Sequence, residues 1–344
     1  MIPIQNIFYM LSYAFQVLME REFRNVATEK YKNVGDLCAE ILIKGVSRQL
    51  KQGLRKDYVE YTEPLSLLRG RVEIIESIRT NSMLKKRLVC TYDDYSENSY
   101  LNKILKTTML LLTRADIAES RKKSLQKLLL YFGDVDTLDP RSINWNQRYD
   151  RNNRTYQMLI SICYLVIKGL LQTTEDGKHR LMDFIDEQHM HRLYEKFILE
   201  YYKKEFPEIK VSASQIPWIV DDDFRDMLPI MQSDVMLEYE NKVLIIDAKF
   251  YSTNLQKQFD TYSIHSNNLY QIFTYVKNKT ASLEGTGNEV SGLLLYAKTT
   301  AAVQPDGDYK MDGNRISVKN LDLNCDFKNI TDQLNRIIDN YIKT

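Results

Sequence analysis

The sequence lacks the cysteine and histidine spacing that zinc sites and disulfide frameworks require. It has only four cysteines and four histidines in 344 residues. The cysteines lie far apart and form no CxxC pair, at Cys38, Cys90, Cys163 and Cys325. Scattered cysteines of this kind fit a reducing compartment. We therefore expect a cytoplasmic protein with neither structural zinc nor disulfides.

The chain also lacks an excess of charge of either sign. Its 47 Lys and Arg residues balance 46 Asp and Glu residues, which argues against a general polyanion binder. The charge is nevertheless divided unevenly, because residues 1–180 hold 29 basic and 21 acidic side chains, and the remainder holds 18 and 25. The basic half either faces phosphate groups or carries ordinary solvated helix faces, and both interpretations stay open.

Charged side chains are absent from the N-terminal stretch MIPIQNIFYMLSYAFQVL, but this stretch does not have the pattern of a membrane anchor. It has neither a basic n-region nor a small-residue cleavage site. Its apolar side chains recur at helical spacing, at Ile4, Phe8, Leu11, Phe15 and Leu18. A packed amphipathic helix is predicted. The apolar run at 156–172 is too short and too polar at its ends to cross a bilayer, so no membrane association is expected.

The length and the order of elements predict two domains and an α+β chain overall. Residues 1–180 are predicted to form a mainly helical N-terminal domain with a small β-containing insertion at 58–79. Residues 181–344 alternate helix, strands, helix and strand, which indicates an α/β domain around a mixed central sheet. The segment 173–180 is the best candidate for the linker.

The segment VLIIDAKFY, residues 243–251, is predicted to be a buried strand that ends on charged residues. A hairpin turning at Glu240 and Asn241 would place Asp234 opposite Asp247. Because side chains alternate along a strand, Asp234, Asp247 and Lys249 would then share one otherwise apolar face. Two carboxylates this close repel each other and favour a bound cation.

These residue types together predict metal-assisted phosphodiester hydrolysis. Mg²⁺ takes one or two protein carboxylates together with water and phosphate oxygens. Lys249 would orient or deprotonate water and stabilise negative charge on a phosphate. A surface ion pair is the alternative, since an acidic-x-Lys tripeptide is common by chance.

Three further side chains are candidates for the same site. Gln271 and Tyr275 lie four residues apart on a predicted helix, hence on one face, where they would touch a phosphate or hold the lysine. Glu195, on an upstream helix, is a candidate further metal ligand. His189 and His191 are interpreted as surface histidines and not as a metal-binding pair, because residues two apart on a helix point in different directions.

Several segments together resemble a known family. The strand aspartate, the hairpin, the D-A-K motif and the Q-x-x-x-Y helix resemble the PD-(D/E)XK nuclease core. More narrowly, the chain is similar to McrC, the nuclease subunit of the McrBC 5-methylcytosine-dependent restriction system. The matching stretches are IPIQNIFYMLSYAF (2–15), LLRGRVEIIESI (67–78), LPIMQSDV (228–235), IIDAKFY (245–251) and NLYQIFTYV (268–276).

The resemblance implies a division of labour between subunits. GTP would be bound by an McrB-like AAA+ ring, and this chain has no GxxxxGK[ST] phosphate loop of its own. The N-terminal domain, 1–180, would enter the ring and stimulate GTP hydrolysis, with Arg69 and Arg71 as candidate partner contacts. The same arginines also fit a fold-stabilising role beside the Gly70 turn.

By the same resemblance, residues 181–344 would be a PD-(D/E)XK endonuclease domain that cuts double-stranded DNA. Asp234, Asp247, Lys249 and Gln271 would be catalytic, with Mg²⁺ as the cofactor and with self-association to cut both strands. Two other functions remain open, a non-catalytic adaptor of an AAA+ ring and a stand-alone repair nuclease.

Overall fold

The computed structural model describes residues 2–149, 153–175, 187–222, 224–258 and 261–343. It is a mixed α/β structure, as expected. Its elements are α1 (Ile4–Ala14), α2 (Val34–Gln52), β1 (Asp57–Leu65), β2 (Arg71–Val72), α3 (Ile74–Arg79), β3 (Leu88–Ser96), α4 (Tyr100–Thr113), α5 (Glu119–Leu129), α6 (Arg154–Glu175), α7 (Glu187–Glu205), β4 (Lys210–Ser212), β5 (Gln215–Ile216), β6 (Met231–Gln232), β7 (Val235–Tyr239), β8 (Lys242–Lys249), β9 (Leu255–Gln258), β10 (Thr261–Ile264), α8 (Ser266–Ser282), β11 (Glu289–Ala297), β12 (Gly307–Met311), β13 (Asn314–Leu321) and α9 (Phe327–Tyr341).

The chain divides into two compact units whose boundary differs from the predicted one. The sheet unit comprises Met1–Glu29 together with Phe184–Thr344, and the helical unit comprises Lys30–Asp183. The segment Met1–Glu29 thus groups with the sheet unit, whereas the sequence pattern places it in the N-terminal domain. Most of the predicted linker, residues 176–180, lies outside the described residues, and residues 173–175 end α6.

Specific contacts explain why the N-terminal segment belongs to the sheet unit. The Asn6 amide donates to the carbonyl oxygens of Leu323 and Cys325, at 2.9 and 2.7 Å. The Tyr9 ring stacks on Phe327 with 4.4 Å between centroids. Helix α1 is shorter than predicted because Phe15 adopts an extended conformation, and a 3₁₀ turn follows. Among the described residues, no helix is long and apolar enough to cross a membrane.

The helical unit contains a β-subdomain that is larger than the predicted insertion. Helices α2, α4, α5 and α6 supply the apolar core of the unit. Strands β1, β3 and β2 form an antiparallel sheet in that order, so the subdomain continues to Ser96 rather than ending near Arg79. Gly70 turns the chain into β2 with φ near +66°, and a Cβ there would collide with the Thr91 carbonyl and with Tyr92.

The sheet unit is built on a six-stranded mixed sheet with the order β12-β13-β11-β8-β7-β4. Strand β11 runs parallel to β8 and to β13, and the other neighbouring pairs are antiparallel. Helix α8 connects β10 to β11 and packs on one face of the sheet. Helices α7 and α9 also pack against the sheet, where Leu244, Ile246 and Ala248 on the opposite face are fully buried.

Candidate active site

The hairpin of β7 and β8 has the predicted register. Val235 pairs with Ile246 at one end and Tyr239 with Lys242 at the other, so the turn is Glu240–Asn241. Glu240 makes the turn in the left-handed region, with φ near 50°. The alternation of faces is confirmed as well, because Met236, Val243 and Ile245 pack together in the core that α8 covers.

Asp234 and Asp247 lie close together at the end of this hairpin. Asp234 is not part of strand β7, as the prediction had it, but approaches β8 through a side-chain hydrogen bond. Asp234 directly precedes β7, and its carboxylate oxygen Oδ2 accepts the Ala248 N–H at 2.8 Å. Asp247 lies within β8 and is 1% exposed. The Asp234 carboxylate is thus hydrogen-bonded to the backbone of β8 at Ala248, the residue after Asp247.

Lys249 joins the aspartates to helix α8. Its Nζ lies 2.9 Å from Asp247 Oδ1 and 3.3 Å from Gln271 Oε1. The Gln271 amide in turn donates to the Tyr275 hydroxyl at 3.0 Å. The structure therefore brings together Asp234, Asp247, Lys249, Gln271 and Tyr275, all of which the sequence singled out.

The electrostatics of this cluster are unusual for carboxylates. Burial raises the pKa of Asp234 to about 8, and repulsion from Asp247 and Glu195 adds to the effect. Burial also raises the pKa of Asp247, although the ammonium of Lys249 opposes the change. For Lys249, burial disfavours the charged form, but the two aspartates outweigh it and raise the pKa of the lysine. The lysine is therefore an ammonium ion at neutral pH.

Glu195 approaches the same cluster from helix α7. Its negative charge raises the pKa of both Asp234 and Asp247, which places it within electrostatic reach of the pair. Its carboxylate Oε1 lies 3.0 Å from His191 Nε2. The role of Glu195 as a further metal ligand stays a prediction, and its histidine partner is one that the sequence did not suggest.

His191, interpreted as a surface histidine, is partly buried, with 24% of its side chain exposed, and it contacts Glu195 and the backbone of Phe250. The spacing of His191 and Glu195, i to i+4 on one helix, was the signal that could have found the pair. The side chain of His189, the other histidine interpreted in this way, lies outside the described part of the chain.

The donor set fits a hard cation better than it fits zinc. Asp247 Oδ2 is buried, with Lys249 Nζ 2.9 Å away but no hydrogen bond of its own. Within the described ranges, no three His, Cys, Asp or Glu side chains are grouped closely enough to hold an ion by themselves. Two carboxylates suit an ion such as Mg²⁺, which keeps several waters and binds substrate phosphate.

Arg69 and Arg71 belong to the helical unit, where each has a local acidic partner. Arg69 Nη2 lies 2.8 Å from Asp94 Oδ1, and its guanidinium lies 4.1 Å from the centre of the Tyr92 ring. Arg71 lies 2.7 Å from Glu73. These contacts favour the fold-stabilising role for both arginines, and their contact with a partner stays a prediction.

Comparison with known proteins gives a family. A family model described as "McrBC 5-methylcytosine restriction system component" matches residues 4–297. The chain belongs to this McrBC family. It is 29% identical over 349 residues to the type IV methyl-directed restriction enzyme EcoKMcrBC of Escherichia coli K12, with 99% of both proteins covered.

Two solved structures also resemble this McrBC-family chain. One is a half-complex of Thermococcus gammatolerans McrB AAA+ hexamers with bound McrC, at 18% identity and a TM-score of 0.47, covering 98% of this chain and 76% of that one. The other is the McrBC complex of the same organism, at 19% identity and a TM-score of 0.40, covering 59% and 58%.

Proposed function

We propose that the chain is the Mg²⁺-dependent endonuclease subunit of a modification-dependent restriction complex, with a PD-(D/E)XK-type nuclease domain in its sheet unit. The observation that carries the proposal is the convergence of Asp234, Asp247 and Lys249 at the end of β8. Membership of the McrBC family supplies the restriction context and 5-methylcytosine as the expected modification. The substrate is double-stranded DNA, cut after translocation by a GTP-hydrolysing partner.

Each side chain of the cluster has a separate task in this proposal. Asp234 and Asp247 would hold Mg²⁺. Glu195 would be a further oxygen ligand only after its side chain moves toward them, because the three are not grouped closely enough as they stand. The ion supplies Lewis-acid stabilisation of charge on the scissile phosphate. Because its pKa is raised, Lys249 acts as a charged donor to the phosphate and to the attacking water, and it is a poor general base.

Gln271 and Tyr275 fix the lysine rather than the metal. The Gln271 carbonyl oxygen accepts from Lys249 Nζ, and its amide donates to Tyr275, so the glutamine cannot rotate without losing both bonds. The lysine is thereby held over the end of the strand. A preorganised donor of this kind stabilises charge that develops in the transition state without reorganising.

The helical unit is proposed to dock on an McrB-like AAA+ ring and to stimulate its GTPase. The support is an exposed apolar set in the connection between β1 and β3, here called the apolar connection. Its members are Leu67, Leu68, Ile74, Ile75, Ile78, Met83 and Leu84, each more than half exposed. Clusters of exposed large apolar residues often mark protein interaction sites, and seven such residues within one connection are the support for docking here.

The decisive assay compares cleavage with GTPase stimulation in the assembled complex. Methylated plasmid, GTP, Mg²⁺ and the neighbouring GTPase are combined with the wild-type chain or with Lys249→Ala. We expect cleavage of methylated DNA by the wild type and a loss of about 10²–10³-fold in the variant, with GTPase stimulation unchanged.

The alternatives give different results in the same assay. A non-catalytic adaptor would leave cleavage unaffected by Lys249→Ala. A stand-alone repair nuclease would cut with Mg²⁺ and no partner. Lys203→Ala, which removes an exposed lysine paired with Glu200 on α7, is the matched control and should behave as the wild type. Self-association to cut both strands is part of the proposal and is tested by counting single-strand against double-strand products.

A further inference from the structure

We infer that His191 is a positioning residue that holds the Glu195 carboxylate on the face of α7 that contacts the end of β8. The inference rests on the proposed function, because it assigns a role at the same site. It begins from the contact between His191 Nε2 and Glu195 Oε1, at 3.0 Å along one face of α7.

The second ring nitrogen of His191 fixes the direction of that contact. His191 Nδ1 accepts the backbone N–H of Phe250 at 3.2 Å. A nitrogen that accepts a hydrogen bond carries no proton, so Nε2 is the ring nitrogen that bears an N–H, and this N–H faces Glu195 Oε1. Phe250 directly follows Lys249, so one ring connects the helix carboxylate with the end of the strand that bears Asp247 and Lys249.

The ring itself is held in place from a third direction. It stacks on Tyr251 at 6.0 Å between centroids and 20° between planes. The Tyr251 hydroxyl donates to Asn268 Oδ1 at 3.3 Å, and the Asn268 amide donates to the Tyr296 hydroxyl at 2.9 Å. Asn268 lies on α8, so these contacts link α7, the residues after β8, α8 and β11.

Glu195 needs such a partner because of its surroundings. Its side chain is about 30% exposed, and it lies within electrostatic reach of the buried Asp247 and the partly buried Asp234. Without a tether, repulsion and solvation would both favour rotation of its side chain into water. The hydrogen bond from His191 opposes that rotation. Groups that orient metal ligands in this way change metal affinity by about 10–100-fold when they are removed.

Two amide substitutions separate the two contacts of the ring. In His191→Gln the amide reaches the position of Nε2 and donates to Glu195. In His191→Asn the shorter side chain places an acceptor near Nδ1 for Phe250 N–H but cannot reach Glu195. If His191 acts through Glu195, His191→Gln should keep metal binding and His191→Asn should lose it. If His191 acts by supporting the Phe250 backbone, the two variants should show the reverse.

The measurement is Mn²⁺ binding to the purified chain, followed by electron paramagnetic resonance, together with the Mg²⁺ concentration for half-maximal cleavage by the complex. Mn²⁺ stands in for Mg²⁺ at oxygen sites. We expect His191→Ala and His191→Asn to weaken Mn²⁺ binding and to raise the Mg²⁺ requirement by about 10-fold, with His191→Gln close to wild type. In a Glu195→Gln background, His191→Ala should have no further effect.

Failure of this inference is distinguishable from failure of the proposed function. If the wild type binds no Mn²⁺ and cuts no DNA, the proposed function is wrong. If the wild type does both and His191→Ala matches it, or if Asn restores function and Gln does not, the positioning role is wrong. Glu200→Gln, which removes another carboxylate from α7, should change neither quantity.

Discussion

The end of β8 and the apolar connection between β1 and β3 both depart from the rule that charged side chains are exposed and large apolar ones are buried. The first buries charged side chains, and the second exposes apolar ones. At the end of β8, the carboxylate of Asp247 and the ammonium of Lys249 are removed from water, at 1% and 6% exposed, and Asp234 is partly buried beside them. In the apolar connection, Ile75 is 82% and Leu84 84% exposed. Burying charge costs free energy unless the charges are paired, and exposing large apolar side chains forgoes the main driving force of folding.

Helix α3 shows how apolar side chains come to be exposed in the apolar connection. The helix buries a serine, and its three isoleucines, Ile74, Ile75 and Ile78, face water. The Ser77 hydroxyl donates to the Glu73 carbonyl at 2.8 Å and accepts the Val89 N–H at 2.8 Å, which fixes the helix to β3. The short helix is therefore held by polar contacts and presents its apolar side outward. Under the proposed function, the first region loses stability in favour of catalysis and the second in favour of binding a partner.

The largest expected effect comes from making the apolar connection polar. The double variant Ile75→Asp with Leu84→Asp should lose partner GTPase stimulation by about 10-fold or more, because apolar anchors dominate interface energies. Its melting temperature should match that of the wild type, since both side chains are exposed. The measurement is GTPase rate against chain concentration.

Leu130→Asp is the matched control for this comparison. Leu130 is 80% exposed in the same unit but lies outside the apolar connection. An equal loss of stimulation in Leu130→Asp and in the double variant would mean that the apolar connection has no special role in docking.

A smaller effect is expected from the turn that leads into the apolar connection. Gly70→Ala should lower the free energy of unfolding of the helical unit by about 1–3 kcal/mol, because the turn needs φ near +66° and the added Cβ meets Thr91 and Tyr92. Urea denaturation gives the value. Gly53→Ala also has a positive φ but meets no atom within 4 Å, so it should cost less. Equal costs would show that the collision contributes nothing.

A further effect concerns the carboxyl group of Asp234 and the pH. The folded pKa of Asp234 is about 8 against an ordinary value of 3.8, so between these pH values the folded chain keeps a proton that the unfolded chain has lost. The free energy of unfolding of the metal-free protein should therefore fall as pH rises through this window, by at most about 1.4 kcal/mol per pH unit for one proton.

Asp234→Asn isolates that contribution. Urea denaturation in EDTA at several pH values between 4 and 8 should show a shallower decline in the variant than in the wild type. A parallel pH dependence in the two proteins would mean that the carboxylate of Asp234 is not held in a charge-disfavouring site.

The sequence predicted the sheet unit well because its signals are local and periodic. The apolar run in β8 and the turn at Glu240 define the register by themselves, and the pair Val235 and Ile246 confirms it. The hydrogen bond from Ala248 N–H to Asp234 could not be predicted, because it depends on the backbone conformation of the residues that precede β7. The role of Asp234 and its neighbours in catalysis stays a prediction.

The errors lie where tertiary contacts override local pattern. The N-terminal segment has a clear helical period, but nothing in that period shows that Asn6 binds the carbonyl groups of Leu323 and Cys325, near the other end of the chain. Strand β3 was missed because Asp93 and Asp94 interrupt its apolar alternation, although β1 pairs with it along its whole length. Helix α3 reverses the rule that isoleucines are buried, so no hydrophobic pattern predicts its orientation.

The most direct test of the account is a crystal structure of the protein soaked with Mn²⁺, with anomalous diffraction used to locate the ion. The account predicts one peak at the end of β8, within about 2.5 Å of carboxylate oxygens of both Asp234 and Asp247. The absence of a peak there at saturating Mn²⁺, or an ion that contacts neither aspartate, would contradict it.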